Sequence, residues 1–267
     1  KGKYRFYLQL ALEGKPYRKF SLGEEETGLD VGPSTIASVS DTKAELKQFC
    51  EEIEFLDQEK RKNQRKLERQ RRANNPDNYN PDRTMKKGRK TWINSKRYLK
   101  TKTKIAEYER KIAAKRKTLH GYEINQLLKR SNVVKSEKLS YKAFQKLFGK
   151  SVGRRAPSQF ITRLEKKLTS MGGKFQHIST FKTKLSQTCH CGEQKKKKLS
   201  ERWHDCPCGV KAQRDLYSAF LAKCVTKSGT LSKTRPKKEW KTIQPLLDEC
   251  MEVLKNQKKK NPSSFGI

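Results

Sequence analysis

Long apolar runs are missing from this sequence. No stretch of its 267 residues approaches the roughly 18 apolar residues that a membrane-spanning helix needs. Acidic residues are scarce: 28 Asp and Glu stand against 64 Lys and Arg, a formal net charge of +36. A compact chain with that excess repels itself unless a polyanion neutralises it. The polyanion with the fitting chemistry is nucleic acid, whose condensed counterions are released when Lys and Arg bind. A membrane surface is the competitor, and a basic scaffold protein of ribosomal type is the bland alternative. Hydrophobic residues make up only 33% of the chain, so the core is small relative to the basic surface. An initial Met and a signal-peptide pattern are both missing from Lys1-Gly2-Lys3-Tyr4. That start reads as the cut end of a longer chain with an upstream domain. No internal repeat is visible. A disulfide framework is also excluded, because seven cysteines are an odd number and four of them fall within twenty residues. That is the arithmetic of a metal site in a reducing compartment, and the chain is expected to be cytoplasmic. Cys50, Cys224 and Cys250 stand alone and read as small buried hydrophobes.

The pattern along the chain predicts a sheet domain interrupted by helices. Lys3 to Leu12 alternates and carries Tyr4, Phe6 and Tyr7, as a strand does, and Gly14-Lys15-Pro16 is a turn. Thr27 to Gly32 and Thr35 to Ser40 form a hairpin around Gly32-Pro33, with Ala44 to Phe49 as a third strand. From about Glu54 the composition changes. Lys60 to Arg72 holds eight basic residues in thirteen, and Asn74 to Pro81 breaks the helix. A second helix runs from about Asn94 to Lys129, with apolar marks at Tyr98, Ile105, Tyr108, Ile112, Leu119, Ile124 and Leu127. The pair is either a solvated charged face or a phosphate-facing surface. The weak interleaving of acids favours phosphate contact through Lys60, Arg61, Arg65, Arg69, Arg72, Lys96 and Arg97. Strand character resumes at Asn132 to Glu137. Arg155 to Met171 reads as helix, Lys174 to Ser179 as strand, Lys211 to Cys224 as an amphipathic helix, and Trp240 to Leu254 as a last helix in a basic tail.

The clustered cysteines read Cys189-His190-Cys191-Gly192 and Cys206-Pro207-Cys208-Gly209, separated by a loop of fourteen residues. Four thiolates complete the tetrahedron that zinc prefers and leave no open position, so a structural zinc is predicted. The Gly after each pair lets the backbone turn around the metal. His190 and His204 lie beside the pairs as substitute ligands.

Three acids stand out by context. Asp30 lies between Leu29 and Val31 in a strand entering a Gly turn. Glu137 ends an apolar strand, and Asp215 opens the helix after the cysteines. Each has an ordinary explanation: a turn acid, an edge salt bridge, a helix-start acid favoured by the dipole. Together they have the composition of a site for Mg²⁺ or Mn²⁺.

The motifs resemble those of the TnpB (OrfB) family of transposon-associated RNA-guided endonucleases, relatives of type V CRISPR effectors. Gly28-Leu29-Asp30-Val31-Gly32 is similar to the first motif of its RuvC-type nuclease domain. Val134 to Tyr141 is similar to the second, and Gln213 to Ala219 to the third. Lys184 to Cys191, with Cys206 to Gly209, is similar to the family's zinc ribbon. Ser218 departs from the Asn usual in the third motif. No HNH signature occurs in the insertion. The resemblance implies an α/β fold: an RNase H-like (RuvC) mixed sheet with a basic helical insertion and a zinc ribbon. It divides the chain into the end of an upstream wedge-like β domain (1–24), three RuvC parts (25–53, 131–185 and 211–225), the insertion (54–130), the ribbon (186–210) and a basic C-terminal tail (226–267). It implies Asp30, Glu137 and Asp215 as catalytic Mg²⁺ or Mn²⁺ ligands, and Cys189, Cys191, Cys206 and Cys208 as ligands of a structural Zn²⁺. It further implies guide RNA and target DNA as partners, no membrane, and a prokaryotic, nucleoid-associated protein. The rival readings are a nuclease-inactive RNA-guided repressor, a strand-joining transposase, and a zinc-ribbon nucleic-acid-binding structural protein.

Overall fold

A computed structural model of the chain describes residues 6–14, 17–257 and 261–267. It forms two compact units. One comprises residues 51–119 with the described part of 1–17, and the other residues 18–50 and 120–267.

The larger unit is built on a five-stranded mixed sheet. Its strands are β1 (Glu25–Val31), β2 (Thr35–Val39), β3 (Ala44–Gln48), β4 (Ser131–Glu137) and β5 (Lys174–Ile178), in the order β3-β2-β1-β4-β5. The first three are an antiparallel meander, while β4 and β5 run parallel to β1. The turn expected at Gly32-Pro33 is present, closed by the Gly32 N–H donating to the Thr35 carbonyl at 3.0 Å. One face of the sheet carries Ala37, Val39 and Leu46 into a core with Leu216, Phe220, Ile243, Leu247 and Met251. The other side holds Phe49 stacked on His120 at 5.3 Å, with Phe160 edge-on to Phe49 at 5.2 Å.

In the smaller unit, α1 (Ile53–Asn74) consists almost wholly of strong helix formers and stops before Pro76. Beside it runs α2 (Lys96–Arg130), about 50 Å long at the α-helical rise, whose last turns from His120 belong to the sheet unit. Few apolar residues are available, and ion pairs supplement them. Lys60 bridges Asp57 at 3.3 Å and Glu109 at 3.1 Å, and Arg61 bonds Asp57 at 2.8 Å.

Several sequence expectations need correction. Phe6 to Leu12 forms no strand, and Phe6, Tyr7, Leu8, Leu10 and Leu12 are exposed. Alternation makes a strand only where another strand supplies backbone partners. Lys3 to Arg5 and the Lys15-Pro16 part of the expected turn lie outside the described residues. Between β4 and β5 the chain forms two helices where one was expected: α3 (Tyr141–Arg155) and α4 (Pro157–Ser170), joined by Ala156 in the left-handed region. A short α5 (Thr180–Thr183) follows β5. Lys211 to Cys224 is not one amphipathic helix. Lys211–Gln213 is strand β7, paired with β6 (Trp203–Asp205), and α6 (Arg214–Lys223) is buried along nearly its whole length. The tail contributes α7 (Arg235–Asn256), which buries Ile243, Leu247, Met251 and Leu254 in the core. Of the lone cysteines, Cys50 and Cys224 are buried and Cys250 is half-buried. Among the described residues, no helix is long and apolar enough to cross a membrane.

Candidate active site and cysteine metal centre

Helix α6 organises both candidate sites, and Gly28 determines how closely it approaches the sheet. A Cβ on Gly28 would lie 1.9 Å from the Ala219 carbonyl oxygen and 2.4 Å from the Lys223 nitrogen. Only glycine lets the α6 backbone rest on β1. Side chains alternate along a strand, so Asp30 lies on the same face as Gly28, toward α6. β1 and β4 are parallel neighbours with Leu29 opposite Ser136, which carries the register on to Asp30 and Glu137. Asp215 is the second residue of α6, in a first turn capped by the Gln213 side chain accepting from the Leu216 N–H at 2.8 Å. The Thr35 hydroxyl at the start of β2 donates to Asp215 Oδ2 at 3.4 Å.

The three acids therefore converge at one end of the sheet, where β1 and β4 end and α6 begins. Their electrostatics register this. Burial, then the charges of Asp215 and Glu137, hold Asp30 well above the usual carboxylate range, against the pull of Arg214. Glu137 is raised by its own burial, against a hydrogen bond from the Leu185 backbone. Tyr141 is raised by burial and by the charges of Asp30 and Glu137, and its hydroxyl donates to the Val31 carbonyl at 3.2 Å. Asp30 and Glu137 are half-buried, while Asp215 is buried. The carboxylates do not close into a tight ligand cluster. Among the described residues only the cysteines do so.

The sulfurs of Cys189, Cys191, Cys206 and Cys208 all lie within 4.8 Å of one another. Cys189 is 3.6 Å from Cys208, and Cys191 is 3.6 Å from Cys206. A zinc tetrahedron with the usual zinc–sulfur bond has an edge of about 3.8 Å, so the donor set fits zinc. Both following glycines have positive φ, Gly192 at 109° and Gly209 at 90°, which explains their place in the motif. The two histidines are not part of the cluster. His190 Nδ1 is 3.0 Å from the Tyr217 hydroxyl, and the His204 ring stacks on Tyr217 at 4.2 Å.

Sequence reasoning passed over the two residues that tie these sites together. Tyr217 stands two positions after Asp215, nearly opposite on the helix. Its hydroxyl accepts from the His190 backbone N–H at 3.0 Å and lies 3.5 Å from Cys189 Sγ. Arg214 donates to Asp215 at 3.4 Å and to the Glu201 carbonyl of the ribbon loop at 2.8 Å. The Gln213-Arg214-Asp215-Leu216-Tyr217 string held this signal, but only its acid was assigned a role.

Of the basic residues singled out, Arg65, Arg69, Lys96 and Arg97 are exposed and Arg72 is half-buried. Lys60 and Arg61 are engaged by Asp57.

Residues 158–221, which run from α4 through the ribbon to α6, match the family model described as Cas12f1-like, TNB domain. The resemblance read from the motifs therefore holds. It is this segment that is similar to the Cas12f1-like family. A cryo-EM structure of a Cas12f1–sgRNA–target DNA complex is similar at 16% identity and a TM-score of 0.44, covering 76% of this chain and 39% of that one. The present chain thus spans about two-fifths of that protein. No curated protein matches.

Proposed function

We propose that this chain is the nuclease part of a TnpB-type, RNA-guided DNA endonuclease, with Asp30, Glu137 and Asp215 as the metal-holding acids of an RNase H-like (RuvC) site. One observation carries the reading: three carboxylates from β1, β4 and α6 meet at one end of a mixed sheet, two of them half-buried, and burial and the charges of Asp215 and Glu137 raise the proton affinity of Asp30. Such an arrangement is unfavourable to folding and makes chemical sense where a cation is to be held. Bound there, Mg²⁺ or Mn²⁺ supplies an activated water and positive charge beside the phosphorus. The protein's own contribution is placement. β1 and β4 hold two acids in register, Gly28 lets α6 bring the third, and Thr35 and Arg214 orient it. Cys189, Cys191, Cys206 and Cys208 would hold a structural zinc that fixes the ribbon beside α6. The exposed Arg65, Arg69, Lys96 and Arg97 would track phosphates, with base pairing to the guide reading sequence.

The test is cleavage of guide-matched DNA by the purified protein with its copurifying RNA. Mg²⁺-dependent cutting that is lost in Asp30→Ala, with guide-dependent binding retained, is the expected result. Equal cutting by the variant refutes the assigned roles. Firm guided binding without cutting by either protein identifies a repressor instead.

A further inference from the structure

We propose that Lys135 is a positioning residue for the three carboxylates: it fixes the C-terminal end of α6, and through that helix the place of Asp215. The link to the carboxylates rests on the nuclease reading above; the fixing of the helix rests on contacts of its own.

Lys135 is a charge within the buried stretch of β4, 5% exposed between the buried Val134 and Ser136. It stands opposite Gly28 in the register of β1 and β4, and two residues before Glu137. Side chains alternate along a strand, so Lys135 and Glu137 share the face on which α6 lies. The ammonium has three protons and meets three acceptors. The Lys223 and Val225 carbonyls accept at 3.0 and 2.7 Å, and Glu26 Oε2 at 3.3 Å. Lys223 is the last residue of α6. Lys135 therefore satisfies a backbone acceptor that the helix leaves open at its C-terminus, and it places positive charge where the helix dipole favours it. Asp215 stands at the opposite end, as the second residue of the same helix. One face of β4 thus carries a cation for the end of α6 and an acid for the site at its start.

A chain of ion pairs holds the ammonium in turn. Glu26 also accepts from Arg235, whose Nε donates to Glu239 at 2.6 Å. Glu239 accepts from Lys223 at 2.7 Å, and Lys223, itself buried, reaches Asp41 in the β2–β3 turn at 2.6 Å. Cations and anions alternate along Lys135, Glu26, Arg235, Glu239, Lys223 and Asp41. Burying such charges is costly, and apolar side chains in their place are often as stabilising or more so. What the charges add is direction. Leu216 and Phe220 pack α6 into the core, but apolar contact is non-directional and sets the axial position of a helix only loosely. Bonds to two specified carbonyls set it closely. A helix of ten residues moves as a rod, so a slide at Lys223 displaces Asp215 equally, and a metal site tolerates only about 0.5 Å.

Mn²⁺ titration of the zinc-loaded protein, followed by electron paramagnetic resonance, tests the proposal. Lys135→Met keeps a side chain of similar length and removes its donors. Mn²⁺ affinity should fall at least about tenfold with zinc content unchanged. The control is Leu164→Ala in α4, a buried residue whose loss opens a cavity and destabilises the core while leaving every bond of Lys135 in place. Its Mn²⁺ affinity should stay at the wild-type level. Unchanged affinity in Lys135→Met overturns the proposal, as does an equal loss in Leu164→Ala, which would trace the effect to stability alone. If Lys135→Met does not fold, Glu26→Gln takes its place, with a smaller loss expected and no loss overturning the proposal. Crystal structures grown without Mn²⁺ separate this proposal from the nuclease reading. In the variant, α6 should be displaced along its axis against β1 by more than about 0.5 Å. A displaced helix in a protein whose wild type binds no Mn²⁺ sinks the nuclease reading and leaves Lys135 its hold on α6. An undisplaced helix overturns the proposal whether or not Mn²⁺ binds.

Discussion

Two nearly opposite sides of the start of α6 face opposite kinds of ligand set. Against Tyr217, four soft sulfurs lie packed at the spacing of a tetrahedron, with no position left open. Two residues earlier, Asp215 joins two other hard carboxylates that repel one another and remain reachable from solvent. The first arrangement suits an ion that stays and holds the fold. The second suits ions that exchange water and substrate. The difference lies in donor chemistry and in how far the surrounding backbone is closed, since α6 supplies a residue to both.

The largest way to break this comparison is at the sulfurs. Cys206→Ser should drop bound zinc from about one equivalent per chain to under half, by elemental analysis, and unfold the ribbon. Binding energies of structural zinc are on the order of 10 kcal/mol, so exchange protection should also fall in α6. Retained zinc would remove the cysteines from their assigned role.

Gly28→Ala should act next most strongly, and on the carboxylate side first. The added methyl meets the α6 backbone, and overpacking of this kind costs about 3 kcal/mol, read by urea unfolding. The control is Gly121→Ala in α2, where a Cβ meets nothing within 4 Å. There the same change should stabilise by up to about 1 kcal/mol. Similar effects at both positions would show that α6 does not rest on Gly28.

Tyr217→Phe keeps the ring and removes the hydroxyl beside Cys189. Zinc affinity in a chelator competition should fall at least about tenfold with the fold intact. An unchanged affinity would separate the helix from the ribbon.

The smallest effect concerns pH. Asp30 has a raised pKa in the folded chain. The stability attached to it is therefore present below the ordinary carboxylate value and is lost as pH rises through the raised one. In EDTA at neutral pH, Asp30→Asn should be more stable than wild type by on the order of 1 kcal/mol, and the gain should vanish in acid. A destabilised Asn variant would mean that the carboxylates do not repel.

Much of this was legible in the sequence, for identifiable reasons. The hairpin could be read because Gly32-Pro33 is an unambiguous turn between β-rich arms, and β4 because the β-branched pair Val133-Val134 lies in a short segment after a long helix. The cysteine cluster followed from spacing and the two glycines. The convergence of the acids was carried by resemblance, since 107 and 78 positions separate Asp30, Glu137 and Asp215 (137 − 30 and 215 − 137) and periodicity says nothing about such distances. Helix α3 was missed because Gly149 and Gly153 interrupt it and few of its residues are buried, which weakens the helical signal. The helix read at Lys211 to Cys224 contains α6, but its first three residues are strand β7, and its polar side chains Asp215, Ser218 and Lys223 are buried instead of forming a solvent face. The helix read at Trp240 to Leu254 is present within α7, which starts five residues earlier at Arg235.

The most direct test of the account is Mn²⁺ binding to the zinc-loaded protein, followed by electron paramagnetic resonance and calorimetry. Wild type should bind at least one Mn²⁺, more tightly as pH rises. Asp30→Ala, Glu137→Ala and Asp215→Ala should each abolish that binding while keeping zinc and native unfolding behaviour. Mn²⁺ binding that is absent from the wild type, or unchanged in all three variants, would contradict the claim that these carboxylates form the metal site.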